Sequence, residues 1–326
     1  MATITYREAL NQALREEMRR DPDVFIMGED IGVFEGAYKV TAGLLAEFGE
    51  KRVKDTPIAE LAIIGLGVGS AMLGLRPICE LMTVNFSLLA MDQIVNHAAK
   101  IHYMFGGRVK VPMVIRMPEG GGFQLAATHS QTFDAWFGYV PGLRVVSPAV
   151  PADAKGMLKS AIRSDDPVIF LENEALYNTR GEVPEGENLV PLDKAEVKRV
   201  GTHVTLIANS RMTLVALEAA RRLEQEDIDA EVIDLRSIRP LDRETIVRSV
   251  RKTNRAVTVE EGWRTYGWGA EVAASLAEEA FDYLDAPIGR VAGEEVPMPY
   301  ARNLEREVIP NADDVVAAVR RLYKAA

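Results

Sequence analysis

The residues of this chain with chemical potential are a few carboxylates, one histidine and two glycine-rich stretches. Glu60 ends the string Asp55-Thr-Pro-Ile-Ala-Glu60 and is followed by Leu-Ala-Ile-Ile. Thr56 has the chemistry of a helix N-cap, and Pro57 suits a first helical position. A capping-box acid would then fall at position 59, which is alanine. Glu60 is out of register for capping, and it opens a stretch apolar enough to be buried. A carboxylate at the edge of a buried helix needs a polar partner, and a ligand can supply one. That makes Glu60 a candidate acid–base group.

His129 lies in a long loop running from Pro118-Glu-Gly-Gly-Gly-Phe to Ala127-Thr-His-Ser-Gln131. A histidine among glycine, threonine and serine after a strand is well placed to meet a ligand. His97 and His102 lie five apart, the wrong spacing for one helix face, with no acidic third ligand, so a metal-hydrolase site is rejected. No Gly-x-Ser-x-Gly elbow and no Walker loop occurs. Gly65, Gly67 and Gly69 imitate a nucleotide-binding loop, but they fall inside a helix, where close packing is the better reading.

The elements that must position these residues alternate along the chain. Spacing predicts helices over 5–19, 60–75, 86–99 and 152–164. Strands are expected over 24–28, 77–83, 111–117, 143–147 and 168–172. Further on, strands over 204–209, 230–235, 256–260 and 288–291 alternate with helices over 213–226, 243–252, 268–280 and 313–323. The stretch 177–202 is rich in Gly, Pro, Glu and Asn and lacks periodicity. The fold class is therefore α/β, with two domains, each a mostly parallel sheet flanked by helices. The expected boundaries are 1–180, a linker over 181–203, and 204–326. Ligands of such sheets sit at the carboxyl ends of strands. Here those ends carry Glu29-Asp30, Asn85-Phe86 and the run from Pro118.

Composition limits the remaining classes. With 326 residues, about two domains are expected, and 48% apolar with 26% charged residues is ordinary for a globular chain. Lys and Arg number 38 against 48 Asp and Glu, a net charge of −10. That balance argues against a nucleic-acid binder and against a polybasic membrane-surface protein. A single cysteine, Cys79, excludes an intramolecular disulfide and a cysteine-cluster zinc site and fits a reducing compartment. The first residues alternate apolar and charged types, unlike a signal peptide. The longest weakly polar run, 61–75, is shorter than the ~20 residues that span a bilayer. A cytoplasmic protein is expected.

Several strings converge on one family. They are Gly28-Glu-Asp30, Gly36-Ala-Tyr-Lys-Val-Thr41, Asp55-Thr-Pro-Ile-Ala-Glu60, Gly74-Leu-Arg-Pro-Ile-Cys-Glu80, His129-Ser-Gln131, Pro141-Gly-Leu-Arg-Val-Val-Ser-Pro148 and Leu158-Lys-Ser-Ala-Ile-Arg163. Together they resemble the E1 β subunits of 2-oxo acid dehydrogenase complexes, and most of all the pyruvate dehydrogenase branch. Branched-chain and acetoin relatives share much of the pattern. The likeness runs from near residue 5 to residue 322. It implies a transketolase-like pyrimidine-binding domain followed by a transketolase-type C-terminal domain. The implied reaction is thiamine diphosphate-dependent oxidative decarboxylation of pyruvate, with acetyl transfer to lipoyl-E2. A non-catalytic assembly subunit is the alternative of another class, and retention of Glu60, Phe86 and His129 speaks against it.

By that resemblance Glu60 activates the cofactor. A carboxyl on the pyrimidine ring favours the imino tautomer, whose nitrogen can take the thiazolium proton, and apolar surroundings suit such proton exchange. Phe86 would stack on the aminopyrimidine and Met82 would line its pocket. Glu29 matches a second acid near the cofactor, the alternative being a solvated strand-end carboxylate. His129 matches a histidine facing the reacting carbons. A structural potassium site is implied at Met113, Ala161, Ile162, Ser164 and Asp166, mostly through main-chain oxygens. No Gly-Asp-Gly motif occurs in the chain. The Mg2+ that meets the diphosphate would then belong to an E1 α subunit in an α2β2 heterotetramer. An acidic tract, Glu278, Glu279, Asp282, Asp285, Glu294 and Glu295, would dock the peripheral-subunit-binding domain of the E2 acyltransferase, or be only a solvated face.

Overall fold

The computed structural model describes residues 1–325. The chain forms two compact units, Met1–Glu119 with Trp136–Leu192, and Gly120–Ala135 with Asp193–Ala326.

In the first unit, six strands lie in the spatial order Arg144–Val146, Val168–Asn173, Val114–Glu119, Arg76–Glu80, Val24–Gly28, Val53–Asp55. Every neighbouring pair in that row is parallel. The strands are apolar runs because both faces are covered by helices. Thr5 starts the helix Tyr6–Arg20 with a complete capping box, its hydroxyl accepting from Glu8 N while Glu8 accepts from Thr5 N at 2.7 Å. The buried stripe Tyr6, Leu10, Ala13, Leu14 and Met18 fixes which face of that helix turns inward. The helix packs on Pro151–Arg163, where the buried Glu17 meets Arg163 at 2.7 Å. From Val24–Gly28 the chain steps outward to Val53–Asp55, then crosses back to Arg76–Glu80 on the other side. The carboxyl ends of Val24–Gly28 and Arg76–Glu80 therefore form a switch point, the place where open α/β sheets bind ligands. Gly28 is required there, because a Cβ would stand 2.6 Å from the Glu80 carbonyl oxygen.

The second unit holds a five-stranded sheet in the order Gly289–Gly293, Ala256–Trp263, Val204–Ala208, Ala230–Asp234, Glu196–Arg199. Its first four strands are parallel and the last is antiparallel. Ser210–Glu224 and Ala312–Ala325 cover one face, burying Leu206, Val232, Ala216, Leu223, Val315 and Val319 in one apolar cluster. Among the described residues no helix is long and apolar enough to cross a membrane.

The α/β class stands as read from the sequence, and three local readings change. The helix predicted over 86–99 is instead a 3-10 segment, Val84–Ala90, followed by a π-helical segment, Gln93–Ala98. The Ser87 hydroxyl donates to the Val84 carbonyl three residues back, a bond that suits the tight turn. The helix after Pro57 begins only at Glu60, with Ala59 in the cap position, so Thr56 is not its N-cap. The aperiodic stretch 177–202 contributes two short strands, Arg180–Val183 beside Ala2–Thr5 and Glu196–Arg199 beside Ala230–Asp234.

Candidate functional site

Glu60 is the first residue of the helix Glu60–Met72 and is only 5% exposed. No hydrogen-bond donor among the described residues reaches its carboxylate. Glu29 follows the strand Val24–Gly28 and is half-buried. Burial, with Asp30 and then Glu60 adding their charge, holds the Glu29 carboxyl above its ordinary range. The two acids therefore share one electrostatic neighbourhood at the switch point. Asp55 fixes the loop after Glu29 by accepting from Gly32 N at 2.6 Å and Val33 N at 3.0 Å. Met82 and Phe86 are both half-buried and enter after Arg76–Glu80, the strand on the other side of the switch point. A partly open aromatic ring and thioether can hold a flat ring, and two nearby acids can bind its polar edge.

Beneath these residues lies a charged cluster that the sequence reading passed over. Arg116 is fully buried and pairs with Glu172 and Glu80. Tyr177 donates to Glu172 at 2.8 Å. Burial is the main force on Glu80, raising its carboxyl above the ordinary range against the pull of Arg116. The cluster ties together three neighbouring strands at their carboxyl ends, next to the positions from which Glu29 and Met82 emerge. The one sequence signal was an arginine and two glutamates inside otherwise apolar strand runs.

His129 belongs to the second unit, in the segment Gly120–Ala135. It is half-buried, its Nδ1 lies 3.0 Å from the Thr128 hydroxyl, and its amide donates to the Ala126 carbonyl. The segment crosses the carboxyl ends of that unit's strands. Gly121 N donates to Glu261 at 2.8 Å, and Asn209 donates to the buried Asp134 at 3.1 Å. None of these partners was legible in local spacing, since Glu261 is 140 residues from Gly121.

The oxygens expected to hold potassium already face donors. The Met113 carbonyl accepts from Val168 N at 2.9 Å, and the Ala161 carbonyl from Ser164 N at 3.1 Å. Arg76 donates to the carbonyls of Ile162 and Ser164, and Arg144 donates to Asp166 at 3.0 Å. A potassium ion among these oxygens would meet like charge from Arg76, so the set does not fit a bound cation in this arrangement.

Residues 2–180 match the transketolase pyrimidine-binding domain, and residues 193–315 match the transketolase C-terminal domain. The chain is 54% identical to the pyruvate dehydrogenase E1 component subunit beta of Rhizobium meliloti, over 99% of this chain and 71% of that one. It is 53% identical to the same subunit of Rickettsia felis, over 98% of each chain. The mitochondrial subunit beta of Bos taurus is 52% identical over 98% of this chain and 90% of its own. Among solved structures, an inactive β4 tetramer of a split-gene transketolase superposes with a TM-score of 0.82 at 28% identity, covering 99% of both chains. The chain belongs to the family of pyruvate dehydrogenase E1 β subunits, built from transketolase-type domains.

Proposed function

We propose that this chain supplies the β half of a thiamine diphosphate-dependent E1. That enzyme decarboxylates pyruvate oxidatively and passes the acetyl group to lipoyl-E2. The observation that carries the reading is Glu60, a nearly buried carboxylate with no donor among the described residues of its own chain, set beside Glu29 at the switch point. A buried acid in that condition costs stability unless a ligand completes it. Bound thiamine diphosphate supplies a carbon nucleophile and an electron sink for the decarboxylation. Glu60 exchanges a proton with the pyrimidine edge, Phe86 stacks on the ring, Met82 fills its apolar side, and Glu29 extends the proton path. His129 serves the reacting carbons and the transfer to lipoamide. We assign no step to potassium.

The absence of Gly-Asp-Gly from the sequence supports an α subunit as the holder of Mg2+ and of the diphosphate, in an α2β2 heterotetramer. An apolar face supports that partnership, because Leu61, Leu66 and Leu73 on and just past the Glu60 helix are 51%, 62% and 88% exposed. The tract Glu278, Glu279, Asp282, Asp285, Glu294 and Glu295 is our assignment for docking the E2 peripheral-subunit-binding domain. We assign the pyrimidine-binding domain to 1–180, the linker to 181–203 and the C-terminal domain to 204–326. The lone buried Cys79 suits a reducing compartment, the cytoplasm or a mitochondrial matrix.

The test is co-expression with a chain that carries Gly-Asp-Gly, followed by pyruvate turnover with and without Glu60→Gln. The substitution is expected to lower kcat by about 10²–10⁴-fold, as for other positioned acid–base groups. Full activity in Glu60→Gln would remove the reading.

A further inference from the structure

We propose that Glu305, far from His129 in sequence, is a positioning residue that holds the His129 loop in its working shape. The inference rests on the reading of His129 as the group that serves the reacting carbons.

The loop needs holding. Gln124 and Ala126 both stand in the left-handed backbone region, at φ 59° and φ 65°. Neither is glycine, and an alanine at such an angle persists only where its surroundings impose it. Immediately after Ala126, the amide of His129 closes back onto the Ala126 carbonyl at 3.3 Å. The placement of His129 thus depends on the strained residues just before it.

Glu305 meets that strain. It is 2% exposed and sits on the helix Arg302–Val308. One of its carboxylate oxygens accepts from both Gly122 N, at 2.9 Å, and Gln124 N, at 3.0 Å. Two nearby amides converging on one anionic oxygen form a small nest, and each bond is charge-assisted. Between the two amides Gly122 stands at φ 118°, a conformation open to glycine, and with Phe123 it sets the angle at which the two amides meet one point. Other anchors hold the ends of the loop. Arg211 donates to the Gly121 carbonyl at 3.0 Å, and Asn209 holds Asp134. The residue between these two, Ser210, is itself left-handed at φ 50°, which lets both side chains reach the one segment. Of these anchors, Glu305 alone acts in the middle of the loop, two residues before Ala126.

The test uses the assembled enzyme, with the chain bearing Glu305→Ala or Glu305→Gln, and reads amide hydrogen exchange together with two activities. In Glu305→Ala, amides 122–126 are expected to exchange about tenfold faster or more, with the strands of the first unit unchanged. Transfer to lipoyl-E2 is expected to fall about tenfold, while decarboxylation read with an artificial electron acceptor falls less than about threefold. Glu305→Gln keeps an acceptor oxygen at the same reach and is expected to restore most of both readouts. Adding Glu305→Ala to His129→Ala is expected to cost nothing more, because the two act through one placement. Unchanged exchange in Glu305→Ala overturns the proposal, and so do losses that multiply in the double variant. If Glu305→Ala does not assemble, Glu305→Asp, whose carboxylate is one methylene short of the two amides, carries the test, with amides 122–126 expected to exchange about threefold faster and unchanged exchange again overturning the proposal. His129→Ala with undiminished transfer would instead sink the reading of His129, and the exchange measurement would still judge Glu305.

Discussion

At the scale of single residues, a carboxylate serves this fold poorly at position 60. It is nearly buried and receives no hydrogen bond from the described residues of its own chain. Removing its charge should therefore do no harm to the unassembled chain, although it is expected to lower turnover in the complex by about 10²–10⁴-fold. Glu60→Gln is expected to leave the thermal midpoint unchanged or to raise stability by about 1 kcal/mol. A clear fall in the midpoint would show that Glu60 has a partner within the chain. Glu260 makes a second prediction, about pH. Burial pushes its carboxyl up to about 7, with Asp134 adding in the same direction and Arg290 and Gly269 N opposing. Because the folded value lies above the ordinary 4.5, the folded chain binds a proton that the unfolded chain releases between those values. That stability is fully present below about pH 4.5 and is lost as pH rises through 7, by up to roughly 3 kcal/mol. Urea midpoints at pH 5 and pH 8 should show a smaller fall in Glu260→Gln than in the parent chain. An equal fall in both would discharge Glu260 from the account.

At the scale of elements, the Arg116 cluster shows what the sequence leaves open. Periodicity finds strands by their apolar runs, and the charged residues inside those runs read as interruptions until three strands bring them together. Arg116→Met should cost about 3–5 kcal/mol, because it leaves Glu80 and Glu172 buried without their cation. Replacing all three with apolar residues should recover much of that loss, which a urea-denaturation series would measure. The glycines of the Glu60 helix divide in a way that confirms packing over nucleotide binding for one of them. A Cβ on Gly67 would lie 2.4 Å from Cys79 Sγ, while one on Gly69 meets nothing within 4 Å. Gly67→Ala should therefore cost about 1–3 kcal/mol by overpacking, and Gly69→Ala should gain a few tenths to about 1 kcal/mol by helix propensity. An apolar run such as Val24–Gly28 and a long periodic helix such as Pro151–Arg163 were legible from the sequence alone. The three-residue strand Val53–Asp55 and the pairing of Ala2–Thr5 with Arg180–Val183 were not. The first is too short to show a period, and the second joins ends of a unit far apart in sequence. The same limit applies to the site. Glu60 and His129 stood out by their neighbours in the chain, whereas Glu305 reaches Gln124 across 181 residues and left no local sign.

At the scale of the whole molecule, the decisive feature is apolar surface that the chain leaves uncovered beside its candidate site. Leu66 is 62% exposed on the Glu60 helix, and Leu73 just past its end is 88% exposed. A lone monomer gains nothing from such a face, and a subunit buries it. The helix that carries Glu60 would then also carry the contact that completes the cofactor site, so assembly and catalysis share one element. A charge placed on that face separates the two. Leu66→Glu alters a side chain already in water, so the isolated chain should keep its stability to within about 0.5 kcal/mol. In the complex the same carboxylate would be buried against an apolar partner, at a cost of several kcal/mol. The variant is therefore expected to fold, to stay apart from the α chain in size-exclusion chromatography with light scattering, and to show no pyruvate turnover. The parent chain should behave in the same way until the α chain is added, and only then bind thiamine diphosphate and turn over pyruvate. If Leu66→Glu assembles at parental concentrations, this face is not the seat of the partner. If the parent chain turns over pyruvate alone, the division of the cofactor site between two polypeptides is wrong.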